Sequence, residues 1–326
     1  MPYNKSLLEK YFPEDFFVIF VIVNILPKYM KRFLLTAFCL TGFSLASNAQ
    51  SYADSLMLAY VRWITVDLGS GLVWKSYHFN QRELFASNQH ISILQTKLNN
   101  KNLKFALGSA DTYLPEGDTV RKLKPTSLLA LENNALAAVN GGFFNTKRGG
   151  SVDFLRINKK IIDSAAYMPN AMIPEHSISA ITIDDNEVKI VKGGQNLYWE
   201  KSLPSPNVLV TGPLLIYENK EEELRVNAFN NNRHPRTCAC VTNDNDLLLI
   251  TVDGRNAVAQ GMSLHELTFL TKMLGCKDAV NLDGGGSTTM YIKGQDEGVV
   301  NYPCDNKQFD HQGERSVSNV IMILKR

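Results

Sequence analysis

Three consecutive glycines follow an aspartate in the segment Asp283–Gly286, and apolar, β-prone residues stand on both sides of it. Ala279–Leu282 is typical of the end of a buried strand, and Met290–Ile292 of the start of another. Glycines in such a place usually mark a turn with positive φ or a close approach of a ligand to the backbone. A tight hairpin turn needs only one glycine, whereas an aspartate, free backbone N–H groups and the hydroxyls of Ser287–Thr289 suit an anionic or polyhydroxylated ligand. The segment therefore predicts a ligand site.

Four other segments place polar or charged residues at the ends of predicted strands. They are Asn140–Asn145, His234–Thr237, Val252–Arg255 and Glu314–Asn319. Loops at strand ends carry a disproportionate share of binding and catalytic residues. We therefore expect these segments to meet the glycine segment in one cleft.

Six motifs of the chain occur in a specific order and spacing. They are NGGFF at 140–144, HPRT at 234–237, VDGR at 252–255, GMSLHEL at 261–267, NLDGGGSTTM at 281–290 and ERSVSN at 314–319. Over roughly residues 72–326 the chain resembles the phosphodiester glycosidases, and six motifs in register are far more specific than any one of them. The resemblance implies an enzyme that cleaves the sugar–phosphate linkage of a glycosyl-1-phosphodiester. The products would be a free sugar, with N-acetylglucosamine as a candidate, and a phosphomonoester, and no cofactor or metal would be required.

This reaction builds positive charge on the sugar ring and negative charge on the departing phosphate, so it needs a carboxylate and fixed cations. Asp283 is the first candidate for the catalytic nucleophile or base because the glycine after it leaves the carboxylate accessible, and Asp253 is the second. Guanidinium groups present paired donors that match phosphate oxygens, which makes Arg236, Arg255 and Arg315 the predicted phosphate clamp. Arg236 is also open to a purely structural interpretation. The other predicted contacts to sugar or phosphate are uncharged: Asn140, Asn145, Thr237, Gly284, Gly285, Gly286, Ser287 and Thr288.

The sequence supports three alternative functions to different degrees. A nucleotide site is disfavoured because Gly284–Ser287 lacks the lysine of a P-loop and leads into a β-prone run. A metal-dependent phosphodiesterase would need Asp253, Asp278 and Asp283 to gather around Ca²⁺ or Mg²⁺, although no ligand spacing demands a metal. A non-catalytic binding protein for phosphorylated glycans stays open, but two intact carboxylates favour an enzyme.

The N-terminus carries the three parts of a secretory signal. Lys31–Arg32 is a basic start, Phe33–Leu45 an apolar core and Ala46–Ala49 a small-residue cleavage site. We therefore expect translation to begin at Met30, residues 1–29 to be a spurious extension, and residues 30–49 to be removed. An anchor formed by the apolar residues on both sides of Met30 is the alternative. Residues 50–71 would be a leader and residues 72–326 the catalytic domain, exported to the periplasm or the extracellular space without stable membrane insertion.

The resemblance implies a phosphorylated carbohydrate as the partner, and the charge balance of the chain argues against nucleic acid. The chain has 34 basic and 32 acidic residues, and the segment before Gln50 holds five of the former and three of the latter. The expected mature chain is therefore neutral, which argues against nucleic acid or an anionic membrane as the main partner. The sequence leaves the oligomeric state open.

The strand and helix patterns predict an α+β fold with mixed, largely antiparallel sheet and a few packed helices. Two hairpins are expected, Ile178–Ile183 with Val188–Val191 and Cys238–Thr242 with Leu247–Val252, and a third strand pair joins Ile91–Leu98 to Leu103–Leu107. One helix should begin after Pro125. Another should begin after Ser263, with Glu266 completing a capping box.

Four cysteines remain after the signal segment, and they allow three complete pairings: Cys238, Cys240, Cys276 and Cys304. Cys238 and Cys240 should point to the same face of one strand. Without a matching set of metal ligands they are interpreted as buried small hydrophobes rather than as half of a metal site.

Overall fold

The computed structural model describes residues 51–111, 121–165, 172–185, 187–194 and 196–326. The chain divides into two compact units, Met1–Leu56 and Met57–Arg326. The segments expected to be a spurious extension and a signal peptide lie outside the described residues. Residues 51–60 are helical, and no helix among the described residues is long and apolar enough to cross a membrane.

Strands dominate the second unit. In chain order they are β1 Ile64–Asp67, β2 Leu72–Leu84, β3 Ser87–Lys97, β4 Leu103–Ser109, β5 Lys124–Pro125, β6 Ala137–Asn140, β7 Leu155–Ile157, β8 Lys160–Asp163, β9 Ser179–Asp184, β10 Glu187–Lys192, β11 Asn207–Val210, β12 Leu214–Tyr217, β13 Lys220–Glu221, β14 Arg236–Thr242, β15 Asp246–Val252, β16 Cys276–Asn281, β17 Met290–Ile292, β18 Ser316–Val317 and β19 Asn319–Lys325. Strand β1 lies inside the expected leader and pairs with β2, so the folded unit begins before Leu72.

Three α-helices of this unit have defined ends: α1 Thr126–Glu132, α2 Ala228–Asn231 and α3 Leu264–Met273. Helix α3 begins with the predicted capping box, in which the Ser263 hydroxyl accepts from the Glu266 N–H and the Glu266 carboxylate accepts from the Ser263 N–H. Helix α1 begins directly after Pro125, as predicted. The Glu314 carboxylate accepts from the N–H and the hydroxyl of Ser127 in the first turn of α1, where negative charge is favourable.

The strands form four sheets, and every strand pair of the described residues is antiparallel. The eight-stranded sheet has the order β1-β2-β3-β15-β14-β16-β12-β13, the five-stranded sheet β10-β9-β11-β7-β8, the four-stranded sheet β17-β6-β19-β4, and the small sheet β18-β5. Helices packed on antiparallel sheets make this an α+β fold, as predicted.

The core lies in layers because most central strands bury both of their faces. Along β15, Leu247 and Leu249 face the main core between the three larger sheets, whereas Leu248, Ile250 and Val252 face a second core under α3. A third core packs α1 on the far face of the four-stranded sheet through Leu129 and Ala130.

Both predicted hairpins are confirmed, as β9–β10 and β14–β15. The predicted pairing of Ile91–Leu98 with Leu103–Leu107 is wrong, because β3 pairs with β2 and β15 while β4 pairs with β19 in another sheet. Leu94 of β3 and Phe105 of β4 belong to the same core cluster. The two strands therefore pack face to face across the core instead of sharing a hydrogen-bond ladder.

Cys240 forms a disulfide with Cys276, with their Cα atoms 5.8 Å apart. The interpretation of Cys240 as a plain buried hydrophobe is therefore wrong. Cys238 is a free, fully buried thiol, and Cys304 is free and half-buried. The disulfide joins β14, which begins within the HPRT motif, to β16, which leads into the glycine segment.

Candidate active site

The ends of five strands from two sheets meet around the glycine segment. In the eight-stranded sheet, Arg236 at the start of β14 pairs with Val252 at the end of β15, and Cys238 pairs with Asn281 at the end of β16. In the four-stranded sheet, the end of β6 lies beside the start of β17. The segment from Leu282 to Thr289 passes from one sheet to the other, which excludes a simple hairpin turn.

Asn140 connects the two sheets through all of its side-chain polar atoms. Its Nδ2 donates to the carbonyl of Asp283 at 2.7 Å, and its Oδ1 accepts from the hydroxyl of Thr237 at 2.7 Å and from the N–H of Thr289 at 3.1 Å. The N–H of Asp283 donates to the carbonyl of Gly141 at 3.0 Å. Asn140 and Thr237 thus hold the glycine segment in place, and these bonds occupy the groups expected to contact the sugar.

Each glycine of the segment is explained by a different neighbour. A Cβ on Gly284 would lie 2.6 Å from the carbonyl oxygen of Pro235. Gly285 has φ +62°, and a Cβ there would lie 2.9 Å from the guanidinium of Arg255. A Cβ on Gly286 would overlap the Asp305 carboxylate and the Arg315 guanidinium. Gly285 and Gly286 therefore allow two arginines to approach the backbone next to Asp283, and Gly284 allows the backbone of Pro235 to do so.

The Asp283 carboxylate is half-buried at the start of this segment. Burial raises its pKa to about 6, although the Ser287 side chain, the Gly284 N–H at 2.9 Å and the charges of Arg315 and Arg255 act in the opposite direction. A carboxylate with a pKa close to neutral, flanked by two guanidinium groups, is the arrangement expected at a reaction centre.

The guanidinium groups of Arg255 and Arg315 have different partners. Arg315 forms a bidentate ion pair with Asp305, with N···O distances of 2.8 and 2.6 Å, and this pair raises the pKa of the guanidinium. Arg255 is exposed, makes no ion pair with a carboxylate of the described residues, and interacts with the Cys304 thiol. Arg255 is therefore the cation best placed to accept an incoming anion.

Arg236 is buried, with 1% of its surface exposed. Its Nε donates to the carbonyl of Met262 at 2.9 Å, and its Nη2 donates to the carbonyls of Phe229 and Asn232 at 2.6 and 3.0 Å. Burial and the neighbouring charge of Arg255 lower the pKa of the guanidinium to about 10. These contacts favour the structural interpretation of Arg236, as a brace for α2, over the predicted phosphate clamp.

Asp253 is also buried, with 1% of its surface exposed. Its carboxylate accepts from His90 Nδ1 at 2.7 Å, from Asn301 Nδ2 at 2.8 Å and from the N–H of Tyr302 at 3.0 Å. Asn301 Nδ2 also donates to the carbonyl of Thr288 at 3.0 Å. The predicted catalytic contact of Asp253 with substrate is therefore disfavoured, and the carboxylate instead positions the end of the glycine segment.

The remaining predicted contacts fall into two groups. The hydroxyls of Thr288 and Thr289 are buried without a hydrogen-bond partner among the described residues. The Ser287 hydroxyl is also buried and lies close enough to Asp283 to lower its pKa. In contrast, Asn145 is exposed and accepts from the N–H groups of Lys147 and Arg148 in its own turn, so it is not part of the group around Asp283.

The motifs did not point to several neighbours of this centre. Asp305 and Asn301 belong to the loop after β17, and Asp153 and His176 lie on either side of β7 and β8. None stands next to a glycine motif, so the sequence carried no local signal for them. Nothing in the sequence distinguishes His176 from the other five histidines of the chain.

A groove of about 710 Å³ lies at the far end of the β14–β15 hairpin, lined in part by Lys189, Tyr217 and Val241. Val241 is at the opposite end of β14 from Arg236. The groove contains none of the predicted site residues, so the candidate site is identified by its chemistry and not by this groove.

The sequence of the chain is similar to those of several named proteins. N-acetylglucosamine-1-phosphodiester alpha-N-acetylglucosaminidase from Bos taurus is 24% identical over 225 residues, which cover 64% of this chain and 40% of that protein. The SPbeta prophage-derived protein YomE from Bacillus subtilis (strain 168) is 28% identical over 113 residues, 34% of this chain and 16% of that protein. The chain thus spans less than half the length of these two relatives.

Solved structures share the fold. The catalytic domain of the zebrafish N-acetylglucosamine-1-phosphodiester alpha-N-acetylglucosaminidase superimposes with a TM-score of 0.59 at 19% identity, covering 81% of this chain and 88% of that one. A hypothetical protein from Synechocystis has a TM-score of 0.59 at 15% identity, covering 82% and 64%. The model of the phosphodiester glycosidase family matches residues 133–324, more than half of the chain. The chain therefore belongs to the phosphodiester glycosidase family.

Proposed function

We propose that this chain hydrolyses the bond between the anomeric carbon of a sugar and the phosphate oxygen of a glycosyl-1-phosphodiester. The products are a free sugar and a phosphomonoester. The observation that carries the proposal is the Asp283 carboxylate, with a pKa raised to about 6, between the charges of Arg255 and Arg315.

These groups match the two charges that develop as the bond breaks. Electrons leave the sugar ring with the phosphate, so the anomeric carbon becomes positive and is stabilised by the negative charge of Asp283, either through space or as a covalent ester. The phosphate gains negative charge near Arg255 and Arg315. A phosphomonoester is a good leaving group, so a strong acid is not needed to protonate it.

The first sugar to test is N-acetylglucosamine, because the names of the bovine and mouse relatives contain it. The loop that carries Asn301 and Asp305 has no counterpart in the motifs, and it borders Arg315 directly. We expect loops of this kind to select the sugar and the group beyond the phosphate.

We also propose that the chain works outside the cytoplasm. The Cys240–Cys276 disulfide supports this proposal, since such bonds persist in oxidising compartments and are rare in the cytosol. N-terminal sequencing of the secreted product should begin near Gln50. An N-terminus at Met1, or one that retains Phe33, would contradict export by cleavage.

The activity is tested with the purified chain and a panel of sugar-1-phosphodiesters that varies the sugar and the alcohol. We expect free sugar and phosphomonoester to appear in equal amounts with at least one member. Release of a sugar-1-phosphate and a free alcohol would instead identify a phosphodiesterase. Tight binding without any cleavage would favour the alternative of a glycan-binding protein.

The metal-dependent alternative is not proposed. Among the residues that the structure describes, no three His, Cys, Asp or Glu side chains are grouped as metal ligands would be. Asp278 accepts from the N–H of Glu218 at 2.8 Å and lies opposite Val241, far along β16 from the strand end that leads to Asp283.

A further inference from the structure

A histidine–aspartate pair is connected to the candidate active site through Phe143 and Gly212. His176 Nδ1 donates to Oδ2 of Asp153 at 2.7 Å, and the hydroxyl of Ser177 donates to Oδ1 of the same carboxylate at 2.5 Å. Asp153 is buried, whereas 35% of the His176 side chain is exposed. The pair therefore fixes the ring through Nδ1 and leaves Nε2, which makes no hydrogen bond with the described residues, for a ligand.

The His176 ring is connected to the glycine segment through Phe143. It contacts the ring of Phe143 at a centroid distance of 5.2 Å, and Phe143 lies two residues after Gly141, whose carbonyl binds the N–H of Asp283. The backbone gives a second connection, because a Cβ on Gly212 would lie 3.1 Å from the Cα of His176.

That connection continues to Asp283. The carbonyl of Gly212 accepts from Asn281 Nδ2 at 2.9 Å, and Asn281 is two residues before Asp283. Two independent chains of contacts, one through a ring and one through the backbone, thus connect His176 to the residues around Asp283.

The segment that carries His176 is firmly held. Glu175 accepts from the N–H of Arg225 at 2.9 Å and from Asn230 Nδ2 at 3.1 Å, which ties it to α2. Helix α2 presents Phe229, which packs on Phe143 at 6.0 Å. Trp199 Nε1 donates to the carbonyl of Ser177 at 3.1 Å on the other side. One continuous aromatic surface is therefore formed by Phe143, His176 and Phe229.

A second buried carboxyl group, Glu200, lies near the pair. Glu200 is fully buried, and neither of its carboxylate oxygens has a hydrogen-bond partner among the described residues. Burial raises the pKa of Glu200, and the charge of Asp153 raises it further, while Lys201 acts in the opposite direction. The Asp153 carboxylate, held by His176 and Ser177, orients the imidazole.

We infer that His176 is the proton acceptor for the water that completes the hydrolysis, an inference that rests on the function proposed above. The water oxygen forms a bond to the anomeric carbon, and the bond from that carbon to its leaving oxygen breaks with its electron pair. The water proton moves to Nε2 of His176, and the Asp153 carboxylate stabilises the imidazolium until the proton returns to solvent. Asp283 then serves as the partner of the positive anomeric carbon and not as the base.

The test compares His176→Gln with the parent chain on a cleaved sugar-1-phosphodiester. Glutamine keeps a polar group near Nε2 but cannot take up the proton, so kcat should fall by about 100-fold or more while KM changes less than about threefold. Added imidazole should restore part of the activity of His176→Ala.

The matched control is His265→Gln, since His265 is exposed on the first turn of α3 and its only hydrogen bond among the described residues is to Asn231 at 3.3 Å. It should leave kcat and KM unchanged. A His176→Gln chain that folds normally and keeps parental kcat or changes only KM would overturn the inference, as would a His176→Ala chain that added imidazole does not rescue. A parent that releases no free sugar from any panel member would overturn the proposed function first, and the role of His176 with it.

Discussion

Asp283 carries a cost in stability that follows from its place in the structure. Its ordinary pKa is 3.8, and in the folded chain burial raises the pKa to about 6. Between these two values the folded chain holds a proton that the unfolded chain has lost, so this residue lowers the stability as the pH rises from about 4 to about 6. Above pH 6 the full cost remains.

Asp283→Asn should therefore stabilise the protein at neutral pH. Asparagine has no charge to bury, and its side-chain oxygen can still accept from the Gly284 N–H. We expect a gain of about 1–3 kcal/mol at pH 7 that shrinks toward zero near pH 4. Urea unfolding of parent and variant at both pH values measures it. Equal stability at pH 7, or a difference that grows at pH 4, would contradict this account of the carboxylate.

Arg255 should differ from other exposed arginines in its effect on substrate binding. Lysine offers a point charge in place of a planar fork, so Arg255→Lys should raise KM for a sugar-1-phosphodiester by about tenfold and change kcat less. A neutral aryl glycoside of the same sugar, if cleaved, should be affected less. Arg62→Lys, at an exposed position outside the motifs, is the control. Equal effects on charged and neutral substrates would argue against a phosphate contact.

The site residues differ in how well the sequence could predict them. The motifs identify Asp283, Arg255 and Arg315, whose side chains lie together around the glycines. They also identify Asn140, Asp253 and Arg236, but they do not reveal that these side chains hold the backbone in place. Whether a side chain contacts substrate or supports the backbone depends on its burial and its hydrogen-bond partners. Those partners come from distant parts of the chain. His176 and Asp153 are 23 residues apart and carry no pattern of their own.

At the scale of elements, the glycine segment is a crossing between two sheets. Its short 3-10 turn, Gly285–Ser287, leaves β16 and delivers the chain to β17. Asn140 at the end of β6 bonds to residues on both sides of this turn. The segment is thereby fixed at both ends while its middle stays close to Arg255 and Arg315.

The Gly286→Ala variant tests whether the position of the Asp305–Arg315 ion pair beside the glycine segment matters for activity. The new methyl group would overlap the Asp305–Arg315 ion pair, so the pair must move away from Asp283. We expect kcat/KM for the phosphodiester to fall at least tenfold. The control is Gly194→Ala, because a Cβ there meets no atom closer than 3.9 Å. If Gly286→Ala retains parental kinetics while Gly194→Ala does too, the ion pair is not part of the site.

Elements with local signals were predicted well, and long-range pairing was not. The hairpins β9–β10 and β14–β15 and the capping box of α3 depend on short turns and caps that are visible in the sequence. The four-residue turn after β3 looks like one more hairpin, yet it sends β4 to another sheet. Apolar faces on both strands satisfy either arrangement, so only the packing of the whole core selects the real one.

At the scale of the whole unit, the disulfide joins two strands that deliver residues to the site. Cys240 and Cys276 are separated by 36 positions. Closing a loop of that size in the unfolded chain corresponds to about 3–4 kcal/mol. The double variant Cys240→Ala, Cys276→Ala should therefore lose about that much free energy of unfolding.

A reductant provides the control for this prediction. Dithiothreitol should lower the stability of the parent toward that of the double variant and leave the double variant itself unchanged. If the variant and the oxidised parent unfold at the same urea concentration, the disulfide does not stabilise the fold as described.

The central claim is that Asp283 is the carboxylate that the reaction requires. The most direct measurement is the turnover of Asp283→Asn on a sugar-1-phosphodiester that the parent cleaves, with Asp244→Asn at the exposed tip of the β14–β15 hairpin as control. The account predicts that kcat falls by about 100-fold or more in a chain that is at least as stable as the parent, while the control stays at parental activity. Near-parental turnover by a folded Asp283→Asn chain would contradict it, and Asp283 would then be a structural residue of the glycine segment.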